Sequence, residues 1–161
     1  MKYLLYIFCL LFSQYGFCQL VGKVISISDG DTFTLIDSAH HKYKIRLYGI
    51  DCPEYGQDFG QVARQFTSKK VFKKMVYVKK KDVDRYGRTV GVVYILPDSV
   101  ILNEELLKAG LAWHYLYYDK NKKWTALEAE AKANEKGLWK HKGAIPPWEY
   151  RRHKVTGYKS Y

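Results

Sequence analysis

The sequence has few cysteines, few prolines and no long apolar run. Of its 161 residues, 3 are cysteine and 4 are proline. Cys9 and Cys18 lie close to the N-terminus, and a chain without that segment retains only Cys52 and has no internal disulfide. The apolar run at residues 3–12 is shorter than the roughly 20 residues of a transmembrane helix. The chain is therefore expected to form one domain that is stabilised by its hydrophobic core.

Residues 1–18 have the outline of a signal peptide. Lys2 precedes the apolar run, and the small residues Gly16 and Cys18 follow it. We predict cleavage after Cys18 and secretion, into the medium or a periplasm, with no stable membrane association afterwards. The alternatives are retention of the segment as an anchor, or acylation of Cys18 as in lipoproteins. Phe17 argues against acylation because lipoproteins have a small residue at that position.

The charge of the chain is strongly positive. The sequence has 27 lysine and arginine residues and 16 acidic residues, which gives a net charge of +11 at pH 7. Such a surface favours a polyanionic partner, either nucleic acid or an anionic membrane, and the charge alone does not choose between them. A lysine-rich protein without any such partner would have the same composition. The choice therefore depends on motifs.

The order of secondary structure is predicted from the spacing of the apolar residues. Alternation of apolar and polar residues predicts five strands, at 21–27, 32–37, 42–48, 76–80 and 89–96. Spacing by three and four residues predicts three helices, at 57–71, 101–109 and 122–136. In the first helix Phe59, Val62, Ala63 and Phe66 are expected to face inward, and Gly110 is expected to end the second helix in a left-handed conformation.

Three strands, a helix, two strands and two further helices follow the order of an OB-fold. We therefore predict an α+β protein with a five-stranded OB-fold β-barrel and three helices, within residues 19–161. The basic tail from residue 144 onward contains two prolines and the pair Arg151 and Arg152. It is expected to be an extended, partly docked strap.

Three short motifs place acidic residues and arginines at the ends of the predicted strands. They are DGDT at 29–32, RLYGIDCPE at 46–54 and DRYGR at 84–88. Strand alternation puts Ile45 and Leu47 on one face and Arg46 on the other. Each motif alone is also typical of a solvated surface turn. Because strand ends converge in a small barrel, we expect the three motifs to meet.

These three motifs, in this order and on these elements, resemble those of the staphylococcal nuclease family. The resemblance spans most of the chain after residue 18 and includes the segments NEEL at 103–106 and GLA at 110–112. It implies an OB-fold enzyme, a calcium-dependent phosphodiesterase that cleaves DNA and RNA internally and from the ends. The products that it implies carry 3′-phosphate groups.

The resemblance also implies a calcium site. Asp31 and Asp51 match the calcium carboxylates of the family, and the main-chain carbonyl of Cys52 matches a third ligand. Calcium is a hard cation that binds oxygen ligands and keeps water in a flexible shell, which agrees with this choice of residues. The family's best-known member has threonine in place of Cys52, and we expect an exposed, oxidisable thiol here.

The same resemblance implies catalytic and substrate-binding residues. Arg46 and Arg88 match the arginines that hold the scissile phosphate, and Glu54 matches the glutamate that acts on the attacking water. A guanidinium group suits this task because its planar donors bind two phosphate oxygens and it stays charged. The residues matching contacts to a terminal phosphate are Arg85, Tyr86 and Tyr118.

Several aromatic and histidine residues have structural alternatives. In the stretch WHYLYY at 113–118 some rings are expected to stack on bases and others to close the core. His114 is interpreted as a structural or surface residue. Neighbouring residues His40 and His41 are expected to be solvated and not to bind a transition metal. No oligomer is indicated, so a monomer is expected.

Two other classes of protein remain open at this point. A noncatalytic OB-fold module that binds nucleic acid would share the fold and charge, although this chain retains every acid and arginine that the resemblance requires. A protein held at a membrane surface by an uncleaved N-terminus would share the charge.

Overall fold

The computed structural model describes residues 20–156 of the chain, so the predicted signal peptide lies outside the described residues. The strands are β1 Leu20–Asp29, β2 Thr32–Ile36, β3 Lys42–Leu47, β4 Ile50–Asp51, β5 Met75–Val83, β6 Thr89–Ile95, β7 Val100–Ile101 and β8 Trp113–His114. The α-helices are α1 Gly60–Val71, α2 Leu102–Lys108, α3 Lys122–Ala133 and α4 Pro147–Thr156, and a 3₁₀ helix spans Gly137–Lys140.

The five long strands close into a barrel, which confirms the predicted OB-fold. Antiparallel pairing gives the order β3-β2-β1-β5-β6, and parallel pairing of β3 with β6 closes the circle. β7 adds to the free edge of β6, and the short strands β4 and β8 pair with each other. The turn between β1 and β2 is formed by Gly30 and Asp31, as the Asp-Gly sequence predicts.

Strand alternation fills the barrel and fixes its register. Phe33 and Leu35 of β2, and Ile45 and Leu47 of β3, are all buried. Burial of each such side chain contributes about 1.5–3 kcal/mol relative to an exposed position. A slip of one residue in β3 would place Arg46 in the core, so the hydrophobic pattern alone determines that Arg46 lies outside.

The first helix is shorter than predicted. It begins at Gly60 because Phe59 has the left-handed φ of 65°, and residues 57–59 form a turn over the preceding loop. Ala63 is buried as predicted, but Val62 is 47% exposed, so its predicted inward position is wrong. The buried face instead continues through Thr67, whose hydroxyl donates a 2.5 Å hydrogen bond to the carbonyl of Gly30 in the barrel turn.

The next two helices agree closely with their predictions. α2 is followed by Gly110 in the predicted left-handed conformation, with a φ of 65°. α3 is capped by Asn121, whose side chain accepts a hydrogen bond from the main-chain N–H of Lys123. Its inner face buries Trp124 and Ala131.

The C-terminal tail differs from its prediction. It is not extended, because residues 147–156 form the helix α4. The described part of the chain therefore has four α-helices, whereas three were predicted. Pro147 stands at the first helical position, where its missing N–H costs nothing. The ring of Trp148 stacks on Tyr115 with 4.8 Å between centroids and 7° between planes. Among residues 20–156, no helix has both the length and the apolarity to cross a membrane.

Candidate active site

Arg46 joins two of the three sequence motifs. Its Nη1 lies 3.1 Å from Asp31 Oδ1, and its Nη2 donates a hydrogen bond to Asp51 Oδ1. The barrel produces this arrangement, because Thr32 pairs with Arg46 across β2 and β3, and the N–H of Leu47 donates to the carbonyl of Asp31. Asp31 and Asp51 therefore converge on one guanidinium, as the motifs predicted they would meet.

The carboxylate of Asp31 is fixed by further hydrogen bonds. Its Oδ1 accepts from the hydroxyl of Thr32, and its Oδ2 accepts from the main-chain N–H of Cys52, each at 2.9 Å. Asp31 and Asp51 are both buried. Two buried carboxylates beside each other repel, and the positive charge of Arg46 is what offsets that repulsion.

The ionisation of these groups reflects their burial and proximity. Burial raises the pKa of Asp51, and the neighbouring charge of Asp31 raises it further. Burial also raises the pKa of Asp29, again with Asp31 contributing. Burial opposes the charged form of Arg46, but Asp31 and Asp51 outweigh this effect and raise its pKa, so the guanidinium remains charged at every working pH.

Glu54 lies in the loop between β4 and α1, and the loop backbone is held in place. Its N–H donates to Gln57 Oε1 at 3.1 Å, and its carbonyl accepts from the N–H of Gln57 at 3.0 Å. Gly60 packs directly under the loop, since a Cβ at that residue would stand 2.1 Å from the Glu54 carbonyl oxygen. A glycine is therefore required for α1 to approach the loop that carries Glu54.

A third arginine reaches the site from α4, and the sequence analysis missed it. Arg151 Nη2 lies 2.8 Å from Asp51 Oδ2, and its Nη1 donates to Glu54 Oε1. Burial disfavours its charge, but the hydrogen bond with Asp51 outweighs this and raises the pKa of Arg151. Pro147 could have predicted a helix here, because proline is typical of the first turn of a helix. Arg151 lies on that helix.

Arg88 lies at the rim of the same cavity and has a different partner. Its Nε lies 2.6 Å from Asp84 Oδ2, and its main-chain N–H donates to Asp84 Oδ1 at 3.0 Å. Burial opposes ionisation of Asp84, but the hydrogen bonds from Arg88 and from the N–H of Tyr86 together outweigh it and lower the pKa of Asp84. The Arg88 guanidinium also lies 5.3 Å from the ring centroid of Tyr86.

An open cavity of about 740 Å³ connects these groups. Its lining includes the predicted residues Arg46, Glu54, Arg85, Tyr86, Arg88 and Tyr118, together with Arg151. Asp31 and Asp51 are buried and contact the lining residue Arg46. The structure thus brings six of the nine predicted residues to one cavity. Two more, Asp31 and Asp51, contact Arg46 at its wall, and the ninth, Cys52, is not among the lining residues.

Exposed aromatic rings stand at the edge of this cavity. Tyr86 is 67% exposed and receives a hydrogen bond on its hydroxyl from Arg85 Nη2 at 2.7 Å. Tyr118 is 61% exposed, and its carbonyl accepts a 2.7 Å hydrogen bond from the hydroxyl of Tyr48. Tyr115 is edge-on to Tyr118 with 5.1 Å between centroids. Tyr86 and Tyr118 thus present exposed ring surface beside the cavity, whereas Tyr115 is already stacked on Trp148.

His114 and Cys52 have structural surroundings, whereas His40 and His41 are exposed. His114 is buried, and its ring nitrogens lie 3.0 Å from Thr125 Oγ1 and 2.9 Å from Asp119 Oδ2, so it is structural. Cys52 is also buried, and the expectation of an exposed thiol is wrong. Burial, with Asp31 next, raises the pKa of Cys52 well above its usual range, which keeps the thiol protonated.

The oxygen donors of the site suit a calcium ion in their chemistry. Asp31 and Asp51 offer two buried carboxylates, and calcium accepts carboxylate, carbonyl and water oxygens together. Among the side chains described, no group of three or more His, Cys, Asp or Glu residues is arranged to hold a metal. Calcium bound by Asp31 and Asp51 would thus take its remaining ligands from main-chain carbonyl groups, such as that of Cys52, and from water.

The barrel and its cavity define the class of the protein. It is an OB-fold protein with an arginine-rich cleft, set over buried carboxylates, that suits an anionic ligand with planar groups. A family model described as staphylococcal nuclease homologue matches residues 44–141. The chain belongs to the staphylococcal nuclease family, as its three motifs predicted.

Individual relatives agree with this assignment. A protein of Shigella flexneri named micrococcal nuclease is 39% identical over 140 residues, which cover 81% of this chain and 80% of the relative. Protein ParB of Escherichia coli is 37% identical over 147 residues, covering 85% and 82%. A probable staphylococcal-like nuclease, CAN1, of Oryza sativa subsp. japonica is 43% identical over 116 residues, but these cover 72% of this chain and only 34% of the plant protein.

Proposed function

We propose that the protein is a secreted, calcium-dependent nuclease that hydrolyses phosphodiester bonds of DNA and RNA and leaves 3′-phosphate ends. The observation that carries this proposal is the contact of Arg46 with both Asp31 and Asp51, at a cavity that Glu54 and Arg88 also line. Membership of the staphylococcal nuclease family supports nuclease activity. The printed name of the Shigella relative, micrococcal nuclease, agrees with it.

The arginines have the chemistry that phosphodiester cleavage needs. Negative charge grows on the oxygens of the phosphate as a nucleophile adds, and fixed guanidinium donors stabilise that charge. Arg46 is held by Asp31 and Asp51, so it does not have to be ordered during the reaction. Arg88, in the motif at 84–88, lines the same cavity and is held by Asp84. A bound calcium ion would supply further positive charge beside the phosphate and a source of ordered water.

Glu54 is the residue proposed to act on the attacking water. Its carboxylate lies at the cavity, and its loop is fixed by Gln57 and Gly60, so it can accept a proton from water or orient it. A bond from water oxygen to phosphorus forms as the bond to the 5′ oxygen of the next nucleotide breaks. The phosphate then stays on the 3′ oxygen.

Weak base specificity follows from the kind of contacts available. Exposed rings such as Tyr86 and Tyr118 stack on any base, and positive charge attracts any phosphate backbone. We therefore propose both DNA and RNA as substrates. A monomer suffices, because one chain supplies every residue invoked.

The proposal is tested by digestion and analysis of product ends. Purified protein is incubated with plasmid DNA and with single-stranded RNA, once with calcium and once with a chelator. We expect cleavage only with calcium, and DNA fragments that a polymerase extends only after treatment with a 3′-phosphatase. Fragments that are extended directly would contradict the 3′-phosphate assignment. Binding without cleavage would instead favour the noncatalytic module.

Export is tested separately. We propose that cleavage after Cys18 releases a protein that begins at Gln19. The mass of the protein recovered outside the cell, measured after fractionation, should equal that of residues 19–161. A mass equal to the full chain, found with the membrane fraction, would support the retained anchor.

A further inference from the structure

Arg151 is a positive charge placed on Asp51, a carboxylate that the proposed metal ion would need. Its Nη2 lies 2.8 Å from Asp51 Oδ2, and its Nη1 is bonded to Glu54 and lies 3.4 Å from Asp51 Oδ1. Arg46 already donates to Asp51 Oδ1. Both carboxylate oxygens of Asp51 thus accept hydrogen bonds from guanidinium groups.

Arg151 is held there by the docking of α4. The stack of Trp148 on Tyr115 fixes the start of the helix, and the hydroxyl of Tyr150 donates to the carbonyl of Gly56 at 3.3 Å. In the segment before the helix, the carbonyl of Ile145 accepts a 2.5 Å hydrogen bond from Gln57 Nε2. Two of these contacts are with the loop that carries Glu54.

The two arginines that share Asp51 are held to different extents. Arg46 belongs to a barrel strand, is also paired with Asp31, and has a side chain that is 19% exposed. Arg151 belongs to the last helix of the described chain, and its side chain is 42% exposed. Moving the Arg151 side chain breaks its contacts with Asp51 and Glu54, whereas moving the Arg46 side chain breaks its ion pairs with two buried carboxylates. Arg151 is therefore the guanidinium that a competing cation displaces at lower cost.

We propose that Arg151 is an internal counter-cation that competes with the divalent metal ion for Asp51 while it is also paired with Glu54. This inference rests on the proposed calcium dependence. Two cations on the Asp51 carboxylate repel, so each weakens the binding of the other by the same factor. Calcium binding should then release Arg151 and loosen α4, and removal of the Arg151 charge should strengthen calcium binding.

The experiment measures calcium binding directly, without substrate. Calcium chloride is titrated in a calorimeter into the wild-type protein and into the variants Arg151→Gln and Arg152→Gln. Thermal melting first shows that each variant is folded. We expect the Kd for calcium to fall about tenfold in Arg151→Gln, within the usual range of coupling between sites. Arg152→Gln removes the same charge from the next residue, which is exposed, and its Kd should equal that of the wild type.

A second variant separates the charge from the docking of its helix. Trp148→Ala keeps Arg151 but removes the stack on Tyr115, and it should lower the Kd by a smaller factor than Arg151→Gln. A Kd in Arg151→Gln that is equal to or higher than that of the wild type overturns the competition. If the wild type meanwhile cleaves nucleic acid with calcium, the proposed function stands and only this inference fails. If neither the wild type nor Arg151→Gln binds calcium or cleaves nucleic acid, the proposed function fails as well.

Discussion

The site has two halves that are held by different parts of the molecule. In the barrel half, Arg46, Asp31 and Asp51 lie on paired strands or in their turn, and all three have buried or nearly buried side chains. In the outer half, Glu54 and Arg151 lie on a loop and a terminal helix and are more exposed. The comparison teaches that one site combines a rigid, prearranged part with a part whose contacts can be exchanged. The two halves should therefore respond differently to mutation.

The largest effect is expected for Arg46→Ala, in the barrel half. Loss of a fixed donor to the phosphate should lower kcat by on the order of 10²–10³-fold. It also leaves the buried carboxylate of Asp31 without its cationic partner and Asp51 with Arg151 alone, which should destabilise the fold by about 3–5 kcal/mol. Single-turnover cleavage and denaturant unfolding in chelator measure the two losses. Arg88→Ala is the control, because it should lower activity without the large loss of stability.

In the outer half, Glu54→Gln should lower turnover and leave the fold intact. A general base or water-orienting group contributes about 10²–10⁴-fold to rate, while contacts that bind the substrate do not change. We therefore expect a large fall in kcat and little change in the Kd for a nucleic acid, measured by steady-state kinetics and by fluorescence anisotropy. Equal losses in both quantities would refute the role on water.

Gly60→Ala tests whether the outer half depends on backbone packing. The new Cβ would stand 2.1 Å from the Glu54 carbonyl oxygen, so either the loop or α1 must move. We expect a loss of stability of about 1–3 kcal/mol and a fall in kcat, because Glu54 is displaced. Thermal unfolding and cleavage rates measure both. Gln61→Ala, at the exposed next residue of α1, is the control and should change neither.

The smallest effect is expected at the rim, for Asp84→Asn. Hydrogen bonds from Arg88 hold the folded pKa of Asp84 below its usual value of 3.8. The ionised form is thus favoured by folding, and its stabilising contribution is present above pH 3.8 and lost as the pH falls through the lower folded value. Because solvent screens the pair, we expect a contribution below about 1 kcal/mol. Urea unfolding of both proteins at pH 7 and near pH 2 measures it. A difference that grows towards low pH would contradict this sign.

The barrel half could be predicted from the sequence, and the outer half only in part. Alternation in β3 placed Arg46 outside the core, and the order of motifs placed Asp31 and Asp51 near it, since strand pairing follows from local patterns. Glu54 belongs to the same motif as Arg46, but its role on water came only from the family resemblance. Arg151 was missed because its position depends on the docking of α4, a tertiary contact that no local period encodes. The burial of Cys52 was missed for the same reason, since it lies in the core cluster that also contains Ala63 of α1.

The parallel pairing of β3 with β6 has a consequence for the protein before it is folded. This pairing aligns Ile45 with Thr89, and so brings Arg46 and Arg88 to one cavity from distant parts of the chain. Contacts between such distant segments carry a loop-closure cost that must be met before they form. If the proposed export passes an unfolded chain across a membrane, the two guanidinium groups stay apart during that passage. The proposed nuclease activity would then arise only once the barrel has closed outside the cell.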